Sequence, residues 1–207
     1  MKEDILEQLV DDYLQSQGYF TRHNIKFRPR KEHSEFNSRA DSNHSDIDVI
    51  GLNPKKGSQE RVMVVSCKSW QKGFYINSWL NNLTENKIRN GRESWQAFRE
   101  LMKPKWSEAF IDAIEEATGT RHFTYLLAVT AVVGDKAKWE NHPPFCAALR
   151  NNPIRIIQLT EMIDHIQNMS TTTVASSDIG RVLQLMKAAQ KGNKSLIEAD
   201  EALDDSE

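Results

Sequence analysis

The sequence predicts an α/β fold in which a mixed central sheet is flanked by helices, with additional helices toward the C-terminal end. The first 17 residues carry apolar residues at helical spacing, and three strand-like segments follow before residue 70. Beyond them, helical segments alternate with two further strand-like segments. Consecutive strands form antiparallel pairs, whereas strands joined through helices form parallel pairs, so we expect both kinds in one sheet.

The composition favours a single domain over residues 1–195. The 207 residues are 39% hydrophobic, which is enough for one buried core. No apolar run approaches the roughly 18 residues of a transmembrane helix, and no apolar leader opens the chain. We therefore expect a cytoplasmic protein without a membrane partner. Cys67 and Cys146 lack the spacing of a zinc site, so free thiols are expected.

The net charge of -2 hides a difference between the body of the chain and its end. Residues 198–207 contain six acidic residues and no lysine or arginine, and removing these six from 29 leaves 23 acidic against 27 basic residues. We expect residues 196–207 to form a disordered acidic tail. A mildly basic body is compatible with a polyanionic partner such as DNA but does not establish one.

The N-terminal segments predict a helix, a strand and a polar loop. Residues 2–17 carry a one-sided apolar stripe that ends before Gly18, and Glu7 borders that stripe, as an ordinary acid on a helix flank also would. Residues 19–27 are predicted as the first strand and residues 28–45 as a loop. The candidates for nucleic-acid contacts are Arg28, Arg30, Lys31 and Arg39 in this loop and Lys72 after the third strand.

The segment over residues 45–72 places charged residues inside apolar, strand-like runs. Turn-forming residues lie between the two runs, which therefore predict a β-hairpin. Side chains alternate along a strand, so Asp46 and Asp48 are expected on one face of the second strand. The same alternation puts Ser66 and Lys68 on one face of the third. If the two polar faces coincide, two acids and a lysine converge in the outline of a metal and water site.

The remaining segments predict further helices and strands. Residues 77–102 have helical spacing with an interruption near Asn90-Gly91, and their basic residues Lys87, Arg89, Arg92 and Arg99 either line a groove or are solvated. Residues 122–133 form the most apolar run, as expected of a strand buried on both faces. The other predicted segments are a helix at 106–118, a loop at 134–153, a strand at 154–158 and helices at 159–167 and 178–190.

The residue types of the hairpin suit phosphate chemistry. Asp46, Asp48 and Glu7 offer hard oxygen ligands, which Mg²⁺ takes while keeping several waters. An ammonium at Lys68 can orient an attacking water and stabilise the negative charge of a pentacovalent phosphorus transition state. Burying this lysine without an acid would be costly, so we expect it to pair with Asp48. A purely structural ion pair would look the same.

These residues resemble the motif of the PD-(D/E)XK nucleases, in which an Asp of the second strand is followed by acid-x-Lys on the third. The matching segments are DIDVIG with Asp48 and VVSCKSW with Lys68. Glu7 ahead of Gly18-Tyr19 is similar to the opening of the branch with Mrr-like restriction endonucleases and Holliday-junction resolvases. The element order is similar over residues 3–167. The resemblance implies a restriction-endonuclease-like fold, Mg²⁺ or Mn²⁺, DNA as partner, and a homodimer.

The resemblance also implies roles for individual residues. Asp48, Ser66, Lys68 and Glu7 would be catalytic, and Asp48, Glu7 and Asp46 would hold the metal. Ser66 departs from the family, which has Asp, Glu or in some branches Gln at this position, and a neutral hydroxyl is a poorer metal ligand than a carboxylate. Either Asp46 or Glu7 compensates, or Ser66 binds through water, or the catalytic activity has been lost.

Three functions remain open on these residues. The first is a metal-dependent endonuclease that hydrolyses DNA phosphodiester bonds, in restriction, defence or repair. The second is a catalytically degenerate nuclease fold that serves as a DNA-binding or protein-interaction module. The third is a regulatory protein in which the acids and the lysine form only a structural ion-pair cluster.

Overall fold

The computed structural model describes residues 4–89, 91–169 and 177–189, and it confirms the predicted α/β class. A mixed five-stranded sheet is flanked by helices, and further helices follow the last strand. None of the described helices is both long and apolar enough to cross a membrane. The acidic tail predicted for residues 196–207 lies outside the described residues.

Among the described residues, the first and the last secondary-structure elements are helices. In chain order they are α1 (Ile5–Ser16), β1 (Phe20–Phe27), α2 (Ser38–Asp41), β2 (Ser45–Leu52), β3 (Val62–Lys68), β4 (Phe74–Tyr75), α3 (Ile76–Thr84), β5 (Ile88–Arg89), β6 (Arg92–Glu93), a 3-10 turn (Ser94–Ala97), α4 (Arg99–Met102), α5 (Pro104–Thr118), β7 (Thr124–Val129), β8 (Val132–Val133), α6 (Lys136–Glu140), α7 (Pro143–Ala148), β9 (Ile154–Gln158), α8 (Leu159–Met169) and α9 (178–189).

The central sheet has the strand order β1-β2-β3-β7-β9. The first three strands are antiparallel neighbours, whereas β7 pairs in parallel with β3 and β9 pairs in parallel with β7. The pairing therefore changes from antiparallel to parallel at β3. All six residues of β7 are buried, as expected for an inner strand covered on both faces.

Apolar side chains form one cluster on each face of the sheet. We call the first the α1 cluster; it joins Leu6, Leu9, Val10 and Leu14 of α1 to Val49 and Val65. We call the second the tryptophan cluster, because all five tryptophans lie in it or against it: Trp70, Trp79, Trp95, Trp106 and Trp139. Adjacent residues of β3 point into different clusters, Val64 into the second and Val65 into the first.

The regular alternation predicted for β2 is wrong around Asp48. Alternation would place Ile47 and Val49 on one face, yet Ile47 packs in the tryptophan cluster and Val49 in the α1 cluster. The register between β1 and β2 skips Asn24 and Asp48, and Asn24 has a positive φ of 54°. Asparagine adopts this left-handed region more readily than most residues. The alternation of side chains between the two faces of β2 is therefore interrupted at Asp48.

The prediction of one interrupted helix over residues 77–102 is also wrong. This segment forms α3, the antiparallel hairpin β5–β6, the 3-10 turn and α4. The sequence between the two hairpin strands is Asn90-Gly91; Asn90 lies outside the described residues, and Gly91 has a φ of 76°. Asn-Gly between two strands is typical of a two-residue hairpin turn. The turn preference therefore outweighs the helical spacing of the apolar residues.

Two predicted loops contain short helices. Residues 134–153 form α6 and α7, where the carboxylate of Asp135 caps α6 by accepting a hydrogen bond from the Ala137 N–H at 3.0 Å. Pro143 occupies the first turn of α7, where its missing N–H is not needed. The loop predicted at 28–45 contains α2, and the strand predicted at 122–133 divides into β7 and β8.

Candidate functional site

The candidate site lies where β2 and β3 separate. Their register ends at the pair formed by Val49 and Val65. Asp48 occupies the opening beyond this pair, and its Oδ2 accepts a hydrogen bond from the Cys67 backbone N–H at 2.6 Å. The carboxylate therefore takes the place of a main-chain acceptor. This contact holds Asp48 against the end of β3.

Lys68 is the last residue of β3 and lies on the tryptophan side of the sheet. Its Nζ donates a hydrogen bond to Ser66 Oγ at 3.0 Å and lies 5.8 Å from the centroid of the Phe98 ring. The expected ion pair between Lys68 and Asp48 is not formed, since no ion pair in the described part of the chain includes Lys68. The Ser66 hydroxyl, rather than a carboxylate, is the direct partner of the ammonium.

Glu100 enters the site from α4 and was not predicted from the sequence. It is 7% exposed, and its Oε1 accepts a hydrogen bond from the Tyr125 hydroxyl at 2.6 Å. Burial raises the pKa of Tyr125, and the nearby Ser66 hydroxyl opposes this increase. Burial raises the pKa of Glu100, against the opposing effects of the Lys68 charge and the Tyr125 hydroxyl. Glu100 thus supplies a carboxyl beside Ser66, which has none.

The pKa of Asp48 is raised as well. Burial is the largest cause and outweighs the charge of Lys68 and the Cys67 N–H, which both favour the carboxylate. The nearby charges of Asp46 and Asp4 add to the increase. Shifted carboxyl groups beside a lysine are more frequent at functional sites than elsewhere. The same shift makes the site favourable for a cation, because a positive charge would stabilise both ionised carboxyls.

The predicted metal ligands do not form one compact group. Asp46 is exposed at the rim of the cavity above Lys68, and Glu7 lies on α1, where its charge acts on Cys67. Among the described residues, no three or more His, Cys, Asp or Glu side chains are grouped so that they could hold a metal ion. Mg²⁺ often uses only one or two protein carboxylates, with waters and substrate phosphates as its other ligands. Asp48 and Glu100 fit that smaller requirement.

Two cavities that share wall residues lie at this site. A cavity of about 230 Å³, here called the lysine cavity, is lined by Asp46, Ser66, Lys68 and Glu100 among others. A larger space of about 920 Å³, here called the arginine groove, is lined by residues from 69 to 99 that include Arg89, Arg92 and Arg99. Both spaces are lined by the same three half-buried residues: Trp70, Gln96 and Ala97.

The predicted nucleic-acid contacts lie in different places. Lys72 lines the arginine groove. Arg30 lines a separate cavity beside α5 and donates a hydrogen bond to Asp112 at 2.6 Å. The other three, Arg28, Lys31 and Arg39, are exposed between β1 and β2. Of the five predicted cations, Lys72 alone lines the arginine groove. Three arginines of the segment predicted to be helical line it as well: Arg89, Arg92 and Arg99.

The sequence carries a signal for Glu100 that resembles the one for Asp48. Glu100 lies between Phe98 and Leu101, which are both buried, so it is an acid within an apolar segment. The single helix predicted over residues 77–102 gives no reason to expect Glu100 beside β3. Its position depends on the hairpin and the 3-10 turn, which redirect the chain before α4 begins.

Comparison of the chain with protein-family models, with curated proteins and with solved structures finds no match. An α/β architecture alone does not determine an activity, because one fold class supports many unrelated reactions. Function is therefore inferred from the residues around Lys68 and from the cavities that meet there.

Proposed function

We propose that this protein is a metal-dependent nuclease that hydrolyses phosphodiester bonds of DNA. The observation that carries the proposal is the convergence of Asp48, Glu100 and Lys68 where β2 and β3 separate. The buried carboxyl of Glu100, the half-buried carboxyl of Asp48 and one ammonium match the residue types of the PD-(D/E)XK motif. Glu100 of α4 would take the part that the third-strand acid plays in that family.

The carboxyls suit a divalent cation such as Mg²⁺ or Mn²⁺. Both Asp48 and Glu100 have raised pKa values because burial disfavours their charged forms, and a bound cation would reverse this effect. Oxygen donors are the ligands that Mg²⁺ prefers. When bound, the metal would polarise the phosphate and offset the negative charge that develops on it.

Lys68 would act on the water and on the phosphate. One proton of the ammonium is used by Ser66 Oγ, which leaves two for a water or a phosphate oxygen. The water oxygen attacks phosphorus, the bond to the leaving ester oxygen breaks, and the proton lost by the water balances the one gained by that oxygen. Lys68 stabilises the transition-state charge. Ser66 positions Lys68, which makes a metal-ligand role for Ser66 unnecessary.

The test is cleavage of plasmid, linear and branched DNA with Mg²⁺ or Mn²⁺. We expect the parent protein to cut and EDTA to abolish cutting. Asp48→Ala, Lys68→Ala and Glu100→Gln should each reduce the rate by about 10²- to 10³-fold or more, the usual effect of removing one electrostatic contact to a transition state. Lys55→Gln, an exposed substitution in the turn after β2, is the control and should cut normally. Equal cutting by all preparations would assign the activity to a contaminant.

A second function, DNA binding without catalysis, is favoured by one observation. Ser66 stands where the family has an acid, and the described residues contain no three-residue metal group. This function predicts salt-sensitive DNA binding that neither EDTA nor Lys68→Ala changes. Calorimetric titration with Mn²⁺ separates the two functions, because the nuclease proposal requires metal binding that Asp48→Ala and Glu100→Gln weaken. If neither metal nor DNA binds, the charged residues form only a structural cluster.

A further inference from the structure

We infer that the arginine groove binds a single, unpaired DNA strand and directs it to Lys68, so that the substrate class is DNA with a single-stranded segment. This inference rests on the proposed nuclease function and adds the substrate to it. The groove and the lysine cavity share Trp70, Gln96 and Ala97 as wall residues, so a strand bound in the groove leads directly to the candidate site.

The groove carries an excess of positive charge. Its lining includes four cations: Lys72, Arg89, Arg92 and Arg99. None of these four belongs to an ion pair among the described residues. The acid in the lining, Glu93, accepts hydrogen bonds from Trp95 Nε1 at 2.7 Å and from the Asn86 side chain at 2.9 Å. That carboxylate braces the hairpin and offsets one of the four positive charges, so the lining keeps a net positive charge.

The hairpin β5–β6 places two like charges opposite each other. Arg89 pairs with Arg92 in the strand register. Like charges directly across a strand pair are destabilising, and a two-stranded hairpin has little stability of its own. An anion between the two guanidinium groups would remove this repulsion. A phosphodiester suits the position, because arginine binds phosphate oxygens through two parallel hydrogen bonds.

Aromatic stacking connects this hairpin to the candidate site. The Arg89 guanidinium lies 4.6 Å from the centroid of the Trp79 ring. Trp79 in turn stacks on Trp70 at 4.5 Å with an interplanar angle of 10°. Because Trp70 lines both cavities, the stack runs from the paired arginines to the wall of the lysine cavity. The hairpin is therefore held in a defined position relative to Lys68.

An exposed aromatic ring in the groove favours an unpaired strand over a duplex. Tyr75 lines the groove and is 49% exposed, so its ring is available to stack on a base that is free of its partner. Cationic grooves with aromatic rings are the usual means of binding single strands.

The test measures binding of a fluorescent oligothymidine and of a matched duplex, in EDTA and with Lys68→Ala protein so that no cleavage interferes. We expect tighter binding of the single strand. Arg89→Gln with Arg92→Gln should weaken it by about tenfold or more and lower the salt slope by about 1.4, because each neutralised phosphate of a single strand accounts for about 0.7. The control, Lys55→Gln with Arg61→Gln, removes the same charge at the other end of β3 and should change neither quantity.

Substitutions of Tyr75 test stacking separately from charge. Tyr75→Ala should weaken single-strand binding by about tenfold, because it removes one base-stacking surface. Tyr75→Phe keeps the ring and should bind as the parent does. Thermal unfolding checks each variant for folding. If removing the stacking of Arg89 on Trp79 prevents folding, Arg92→Gln alone still tests the phosphate contact, because Arg92 is exposed.

Several results would overturn the inference: tighter binding of the duplex, equal binding by the arginine variant and its control, no binding of the single strand, or tighter binding of single-stranded RNA than of DNA. The inference and the nuclease proposal fail in different ways. Arginine-dependent strand binding without cleavage supports the groove and contradicts the nuclease. If the protein cleaves DNA but Arg89→Gln with Arg92→Gln does not weaken single-strand binding, the nuclease proposal is supported and the groove inference is overturned.

Discussion

Glu100 is a residue whose burial reduces stability at neutral pH. Burial raises its pKa, so the unfolded chain loses this proton at a lower pH than the folded chain does. The free energy of unfolding therefore falls as pH rises from the ordinary glutamate pKa of about 4.3 through the folded value. Asp48 contributes in the same direction. A carboxyl kept at such a cost is consistent with a role other than packing.

Replacing Glu100 should make the protein more stable at neutral pH. In Glu100→Gln the amide retains the size of the side chain and can still accept the hydrogen bond from Tyr125. The gain over the parent should disappear below about pH 4, where the parent glutamate is protonated in both the folded and the unfolded chain. Urea unfolding of both proteins at pH 4 and pH 7 measures this difference.

A matched control is Glu161, whose pKa is lowered because hydrogen bonds from Lys136 and the Gln158 N–H outweigh partial burial. A group with a lowered pKa stabilises the folded chain above its ordinary pKa, and this stability is lost as pH falls. Glu161→Gln should therefore cost stability at pH 7 and less at pH 4. If Glu100→Gln behaves like Glu161→Gln, Glu100 is ionised in the folded protein and the account of its burial is wrong.

Among single residues, Asp48, Ser66 and Lys68 of β2 and β3 are predictable from the sequence. Glu100 of α4 is not. Ser66 and Lys68 share a face because they are two positions apart on a strand, and their hydrogen bond agrees with this. Asp48 stands out as an acid within an apolar run. Glu100 comes from a distant helix, and its approach to Lys68 depends on tertiary packing that strand periodicity does not describe.

Among the secondary-structure elements, α1 is tied to the candidate site by the residue that caps it. Asp4 Oδ1 accepts a hydrogen bond from the Leu6 N–H at 2.9 Å, and its Oδ2 accepts one from the Ser69 hydroxyl at 2.6 Å. Ser69 directly follows Lys68 in the chain. One carboxylate thus satisfies the first turn of the helix and fixes the end of β3.

Substitution at Asp4 should separate capping from charge. Asp4→Ala removes both hydrogen bonds and should lower the free energy of unfolding by about 1 kcal/mol or more. Asp4→Asn keeps an acceptor oxygen and should lower the free energy of unfolding by only a few tenths of about 1 kcal/mol, since asparagine caps helices about as well as aspartate. Asp135→Ala, which removes the cap of α6, is a control without a second contact. Equal losses for the alanine and asparagine variants in urea unfolding would contradict the capping role.

The longer elements are predictable because their signals are local and repeated. The apolar stripe of α1 repeats at helical spacing, and the continuous apolar run of β7 is typical of a strand buried on both faces. The shortest elements, such as the two-residue strands β5 and β6, have no such repeat. Their boundaries depend on turn residues, and Asn90-Gly91 is a hairpin signal that the surrounding helical spacing obscures.

The whole molecule has its tryptophans on one side of the sheet. All five belong to or border the tryptophan cluster, so their fluorescence reports packing on that face. Far-ultraviolet circular dichroism reports the helices and strands of both faces. The antiparallel and parallel halves of the sheet meet at β3, which contacts both clusters. A single domain over residues 1–195 and a homodimer remain predictions at this scale, and the first has a direct test.

If the chain is one cooperative domain, thermal unfolding followed by tryptophan fluorescence and by circular dichroism should give the same midpoint. Leu14→Ala, in the α1 cluster on the face without tryptophans, should lower the free energy of unfolding by about 2–5 kcal/mol. Both signals should shift together. A fluorescence transition that Leu14→Ala leaves unchanged would show that the two faces unfold separately, and the single-domain prediction would then be wrong.

The contact between Asp48 and the Cys67 main chain has a consequence for how this site tolerates mutation. Every amino acid except proline presents a backbone N–H, so the hydrogen bond to Asp48 does not depend on the identity of residue 67. Position 67 can change within the limits of its half-buried surroundings and still anchor the carboxylate. In the proposed nuclease, Lys68 and Glu100 would act through their side chains and would have no such freedom. Random mutagenesis should therefore find a tolerant position adjacent to an intolerant one on the same strand.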